Sequence, residues 1–299
     1  MDIEKSLANF IEEQCLPTRY TEIAAEWFVP LLERITSKVQ LHQIKAKKPL
    51  FLGINGAQGS GKSTLGELLV RLSKDAYDLN AVCMSLDDFY LSKQERVSLA
   101  ESIHPLLATR GVPGTHDLQL LQNILSQLKS YASCAIPSFN KAIDDRSDPA
   151  TWPIIDTKVD LIILEGWCVG APPQTKQQLL HDVNSLEREE DANGIWRNFV
   201  NTKLATEYQR LFLQLDYLIM LKAPSFQQIF SWRCEQEHKM QKRNIELGRD
   251  QGGMSDAQIA AFIQHYQRIT EHGLTHLPAL CNEVFELDQQ RNVVTCHIH

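Results

Sequence analysis

The stretch Pro49-Leu50-Phe51-Leu52-Gly53-Ile54-Asn55-Gly56-Ala57-Gln58-Gly59-Ser60-Gly61-Lys62-Ser63-Thr64 decides the fold. Its first half is a short apolar run suited to a buried strand. The residues that follow, Thr64-Leu65-Gly66-Glu67-Leu68-Leu69-Val70-Arg71-Leu72, repeat leucines at helical spacing. Between the two, Gly56 to Ser63 match the pattern G-x4-G-K-[ST], whose confirming context is strand, glycine loop, helix. The glycines let backbone N–H groups converge on phosphate oxygens, and the helix N-terminus adds its positive end. Lys62 is placed to reach the β- and γ-phosphates, and Ser63 to hold a magnesium ion. The pattern implies that Gly56, Ala57, Gln58, Gly59, Ser60, Gly61, Lys62, Ser63 and Thr64 bind a nucleoside triphosphate.

Working outward, a chain of 299 residues that is 43% hydrophobic and 22% charged has room for one sizeable α/β domain with elaborations. The net charge of −7 argues against a nucleic-acid partner, which requires a clustered basic surface. Met1-Asp2-Ile3-Glu4-Lys5 lacks the apolar core of a signal peptide and no apolar stretch approaches membrane-spanning length, so a cytoplasmic protein without a membrane partner is expected. Seven scattered cysteines without C-x-x-C spacing read as free, mostly buried thiols. The oligomeric state is left open.

Residues 1–48 carry apolar positions at helical spacing and read as a helical extension packed on a domain spanning 49–299. After the glycine loop, four further strands are expected, at Ala81–Leu86, Val159–Leu164, Tyr217–Leu221 and Val284–Leu287, with helical segments between them. That alternation predicts an α/β fold of the P-loop NTPase type. Its mainly parallel sheet would be covered by helices on both faces and bind ligands at the carboxyl ends of the strands.

The second strand runs into Ser85-Leu86-Asp87-Asp88-Phe89-Tyr90, placing two acids where such a sheet presents its active site. Phosphoryl transfer needs an aspartate that orients the nucleophile, with a metal ion and Lys62 neutralising charge, and Asp87 is the candidate base. The competing reading is a helix cap. The third strand ends in Glu165, a candidate for the metal shell beside Ser63; an ordinary acid at a strand exit is the alternative. Arg110-Gly111-Val112-Pro113-Gly114-Thr115-His116-Asp117 reads as a shaped loop carrying a cation and an imidazole, with Asp117 able to cap the next helix. Pro137 to Arg146 reads as a long, polar, irregular loop in which Lys141 and Arg146 either bind a small acid or pair with Asp144 or Asp145. Trp232-Arg233 is read as the opening of a charged helix within a lid of about residues 224–256, from which Arg233 would cover the triphosphate. Two decoys are set aside. Thr157-Lys158-Val159-Asp160 has a guanine-reading spacing but precedes its strand, and Cys296-His297-Ile298-His299 has no definite partner for a metal site.

In one order, the segments GINGAQGSGKST, SLDDFYLS, LLATRGVPGTHDL, PSFNKAIDDRSDPATWP, ILEGWCVG, WRCEQEHKM and GGMSD resemble the D-glycerate 3-kinase family, within the P-loop group of phosphoribulokinase, uridine kinase and pantothenate kinase. The resemblance covers roughly residues 49 to 290 and implies ATP and Mg²⁺ as cofactors. It puts Asp87 on the catalytic base of the D-x-F motif, Glu165 on the second acidic motif, and Arg110, His116, Lys141 and Arg146 in the acceptor pocket; Asp87 and Tyr90 are further candidates for contact with the acceptor. Two departures stand out. Gln241 occupies a position where the family often has arginine, with Lys242 and Arg243 next, and Asn140 stands where an acid is common. The expectation is an ATP-dependent kinase phosphorylating a hydroxyl of a small acid, D-glycerate above all. The rivals are a kinase for a nucleoside or pantothenate-like metabolite and a nucleotide-dependent regulatory or assembly protein.

Overall fold

The computed structural model describes residues 3–246 and 253–299. Its centre is a six-stranded sheet built from β1 (Leu50–Gly56), β2 (Ala81–Ser85), β3 (Leu161–Gly166), β4 (Tyr217–Lys222), β5 (Glu283–Leu287) and β6 (Val293–Ile298). The strand order is β6-β5-β4-β1-β3-β2, parallel throughout except for the antiparallel β5–β6 pair. The four strands expected after β1 are present with ends shifted by one or two residues, and β6 was not anticipated.

Strands buried on both faces read as continuous apolar runs, and every residue of β1 and β3 is buried. Side chains alternate between two cores. Phe51, Ile162 and Leu164 enter one, where they meet Leu121, Leu125 and Leu128 of helix Leu118–Lys129. Leu52, Ile54, Leu161 and Ile163 enter the other, opposite Leu65, Leu68, Leu69 and Leu72 of the helix that follows the glycine loop, α2 (Lys62–Tyr77). The same core takes Leu31, Leu32, Ile35 and Val39 from α1 (Val29–Ala46). Arg34 ties α1 to β5 by donating Nε and Nη2 to the buried Glu283 at 2.9 and 2.6 Å, and the Tyr217 hydroxyl of β4 donates to the same carboxylate at 2.7 Å.

Two long C-terminal helices, α3 (Phe226–Glu246) and α4 (Asp256–His276), pack beside one another. Trp232-Arg233 lies inside α3, which begins at Phe226, so the expected helix start is corrected. Of the expected lid, residues 247–252 lie outside the described residues, as does the Arg243 side chain. The segment read as an irregular loop is folded. Phe139–Asn140 pairs antiparallel with Asp145–Arg146, and Cys134–Ala135 with Ile154–Ile155. Of the seven cysteines, all free, four are buried and Cys15 is exposed. Among the described residues no helix is long and apolar enough to cross a membrane.

Candidate active site

The glycine loop turns from β1 into α2 through Gly59 and Gly61, at φ +76° and +92°, a region that disfavours any side chain. Gly56 is required for space, because a Cβ there would lie 2.5 Å from Ser60 Oγ. Lys62 is the first residue of α2, so the orphan N–H groups and positive end of a sixteen-residue helix face out of the loop. Gln58 Oε1 and Ser60 Oγ are buried there without hydrogen-bond partners.

Glu165, at the end of β3, faces this helix start. Ser63 Oγ donates to Glu165 Oε1 at 2.8 Å, and Lys62 Nζ stands 3.7 Å from Oε2. Oε2 is buried and accepts no hydrogen bond.

At the end of β2 the chain makes a 3₁₀ turn, Leu86–Phe89, that carries Asp87 and Asp88. Neither caps the next helix, which is Lys93–Ser102 with Ser92 and Glu95 as a capping box. Asp87 Oδ1 accepts from the Tyr90 hydroxyl at 2.7 Å and Oδ2 from Lys141 Nζ at 3.0 Å. Burial pushes the Asp87 carboxyl up, but the charges of Lys141 and Lys62 and the Tyr90 hydrogen bond outweigh it and hold the group well below the usual carboxylate range. Asp88 behaves oppositely. Burial above all, aided by the charge of Asp87 and opposed by the Phe139 N–H that it accepts at 3.1 Å, pushes it up to about 6. The two adjacent carboxyls are driven apart in this way: the surrounding charges favour the ionised form of Asp87, and Asp88 holds the backbone of Phe139.

The cations expected in the acceptor pocket are held by acids far away in sequence. Lys141 pairs with Asp87, not with Asp144 or Asp145. Arg146 donates Nε to the Tyr90 carbonyl at 2.8 Å and Nη2 to Asp117 at 2.9 Å, while the other Asp117 oxygen caps helix Leu118–Lys129. Arg110 pairs with Asp144, whose second oxygen is 3.0 Å from Arg96 Nη2. His116 is 5% exposed, with Nδ1 2.6 Å from the Tyr208 hydroxyl and its ring against that of Tyr90; burial pushes it down to about 4 and leaves Nε2 without a partner. Lys62, Ser63 and Glu165 thus form one contact group and Asp87, Tyr90 and Lys141 another, joined electrostatically through Lys62. Arg146 and His116 support Tyr90 from behind, and Arg110 anchors the neighbouring turn.

Arg233 stands apart from both groups in its contacts. Its guanidinium is 2.7 Å from Glu237, which accepts the Met254 N–H at 2.9 Å, and Gln241 donates to the Met254 carbonyl at 3.0 Å. At Gln241, therefore, an amide ties the helix to the segment after residues 247–252.

Two arginines had no motif to reveal them. Arg96 is buried and holds Asp144. Arg291, in the β5–β6 turn at φ +68°, donates Nε to the Gly59 carbonyl at 2.7 Å and Nη2 to Glu235 of α3 at 2.7 Å, and its guanidinium lies 5.2 Å from the centre of the Trp232 ring. It straps the glycine loop to the C-terminal helix. The only local signal was a run of turn residues, Asp288-Gln289-Gln290-Arg291-Asn292.

No family model matches the chain. It is 35% identical over 267 residues to the uncharacterized kinase mug58 of Schizosaccharomyces pombe, covering 84% of this chain and 92% of that one. It is 26% identical over 294 residues to the chloroplastic D-glycerate 3-kinase of Arabidopsis thaliana, covering 90% of this chain and 60% of that protein. Among solved structures, the D-glycerate 3-kinase of Cryptococcus neoformans var. grubii superposes with a TM-score of 0.73 at 26% identity, covering 90% of this chain and 99% of that one.

Proposed function

The chain belongs to the D-glycerate 3-kinase family of P-loop kinases, and on that premise we propose that it transfers the γ-phosphoryl group of ATP to the 3-hydroxyl of D-glycerate. The observation that carries the proposal is Asp87. It is an ionised carboxylate at the carboxyl end of β2, within the field of the glycine-loop lysine and paired with a loop cation.

In the transfer the acceptor hydroxyl gives its proton to Asp87 and its oxygen bonds to the γ-phosphorus. The bond from that phosphorus to the β–γ bridging oxygen breaks, and ADP leaves with the electron pair. Lys62 and the start of α2 offset charge on the β- and γ-phosphates, and Arg233 covers them from the lid, which we take as about residues 224–256 of a kinase domain spanning 49–299. Ser63 and Glu165 fit Mg²⁺: both offer hard oxygens, and the buried Glu165 Oε2 has no hydrogen bond to give up. Bound there, the ion would supply positive charge to phosphate oxygens. Lys141 meets the carboxylate of the acid, while Tyr90, His116, Arg110 and Arg146 shape the wall around it.

The test is ADP release from ATP across a panel of D-glycerate, uridine and pantothenate. Release with D-glycerate should far exceed the others. Equal or greater release with uridine or pantothenate would assign a different acceptor.

A further inference from the structure

An acceptor hydroxyl must reach one oxygen of Asp87, and each already accepts a hydrogen bond, Oδ1 from the Tyr90 hydroxyl at 2.7 Å and Oδ2 from Lys141 Nζ at 3.0 Å, so the hydroxyl must share an oxygen with one of these donors or displace it. Tyr90 cannot leave. Its ring is wedged between those of His116 and Phe139, with centroids at 4.6 and 5.2 Å, and the residue is buried. Lys141 can leave, because its side chain is 61% exposed and its ammonium, paired with Asp87, is open to solvent.

We propose that Lys141 is a specificity-determining latch: its ammonium covers Asp87 Oδ2 until an anionic group on the acceptor draws it off, so that the base is exposed chiefly to acceptors carrying a carboxylate. The inference rests on the kinase reading of this site and deepens it, turning a carboxylate contact into a condition for catalysis.

Three features support the latch. The neighbouring cations are committed, since Arg146 is spent on Asp117 and the Tyr90 carbonyl, and Arg110 and Arg96 on Asp144. Lys141 is therefore the cation of this wall that exchanges partners at least cost, being the exposed member of its ion pair and already in contact with water. The backbone need not move. The turn that carries Lys141 is closed by the Phe139–Asn140 and Asp145–Arg146 ladder and held at Asp144 by two arginines, leaving a long flexible side chain as the moving part. Finally, an ammonium against a carboxylate weakens it as a base, and Lys141 is foremost among the groups that hold Asp87 low against burial. Drawing Lys141 away both vacates an oxygen and raises the basicity of Asp87 at the moment the hydroxyl arrives.

The experiment compares the wild type with Lys141→Met, which keeps length and removes charge, on D-glycerate, on its neutral methyl ester, and on ATP without acceptor. In the variant, kcat/KM for D-glycerate should fall about 10-fold or more through loss of a charge-assisted contact, while kcat/KM for the ester rises several-fold. Acceptor-free ATP hydrolysis should also rise. Lys141→Arg should keep the wild-type preference. Ester turnover that is unchanged or that falls along with D-glycerate turnover overturns the latch; the former marks Lys141 as a carboxylate contact only. Where the wild type turns over neither compound, the acceptor assignment fails and ATP hydrolysis decides alone: a rise in Lys141→Met supports the latch and no rise overturns it. Coincident melting curves for the variants exclude misfolding as the source of any loss.

Discussion

The phosphate end and the acceptor end of this site are built in opposite ways. The phosphate end is contiguous: strand, glycines, lysine and serine follow one another from Leu50 to Ser63, and the distant side chains that meet the loop and the start of α2 include Glu165 and Arg291. The acceptor end is assembled from segments tens of residues apart, with Lys141 on Asp87, Arg146 on Asp117 and Arg110 on Asp144. A local device makes the same chemistry wherever it occurs, whereas a device assembled through ion pairs can be re-specified by changing one partner. Nucleotide binding should accordingly tolerate changes in the acceptor wall, and acceptor choice should be sensitive to them.

The largest expected effect breaks the phosphate end. Lys62→Ala leaves γ-phosphate charge uncompensated and should lower kcat by on the order of 10³-fold or more in a protein that still folds, measured by steady-state ADP release. Near wild-type kcat would remove the glycine loop from catalysis. Next comes the junction of the two ends. Asp87→Asn should cost on the order of 10²–10⁴ in kcat while ATP binding by calorimetry stays intact, and Asp88→Asn should cost less. The reverse ranking would move the base to Asp88.

Within the acceptor wall, Arg146→Ala removes two charge-assisted bonds that hold Tyr90 and Asp117 together. It should lower stability by about 1–3 kcal/mol and raise the acceptor KM, with the KM for ATP unchanged. A rise in both KM values would mean that the ends are not separable. Arg291→Ala is the mirror test. Loss of its bond to the Gly59 carbonyl should raise the KM for ATP about 3- to 10-fold and leave the acceptor KM alone.

A last effect bears on the pH dependence of stability and not on turnover. Asp88 has a raised pKa of about 6, so the folded protein holds a proton there that the unfolded chain releases near its ordinary value of 3.8. Its contribution to stability is fully present below pH 4 and is lost as pH rises through 6. Relative to Asp88→Asn, the wild type should lose stability from pH 4 to pH 6.5 in denaturant melts. The depressed pKa of Asp87 has the opposite sign: its stabilising contribution holds above the ordinary carboxylate range and is lost only in strong acid, so it adds no acid limb near pH 6.

The same contrast explains what could be read before folding. β1, the glycine loop and α2 carry their own periodicity and turn chemistry, and acids placed after apolar runs marked the ends of β2 and β3. The strand β6 is not legible in the sequence because an edge strand with exposed Val294 and Ile298 lacks a buried run, and its Cys-His pattern resembles a metal tail more than a strand. Ladders of two residues such as Phe139–Asn140 are too short to show a period. The start of α3 at Phe226 was missed because the charges after Trp232 looked like the helix itself. The bonds of Arg96 and Arg110 to Asp144, of Arg146 to Asp117 and of Arg291 to Gly59 span 29 to 232 positions, and such pairings exist only once the chain is folded.

Whether a glycine-loop nucleotide end and an Asp87 acceptor end together phosphorylate a small acid can be seen by phosphorus NMR of a reaction containing the protein, ATP, magnesium and D-glycerate. A new phosphomonoester resonance, coupled to the methylene protons of carbon 3, should appear in step with ADP. ADP accompanied only by inorganic phosphate, or a phosphoester on carbon 2, would contradict it.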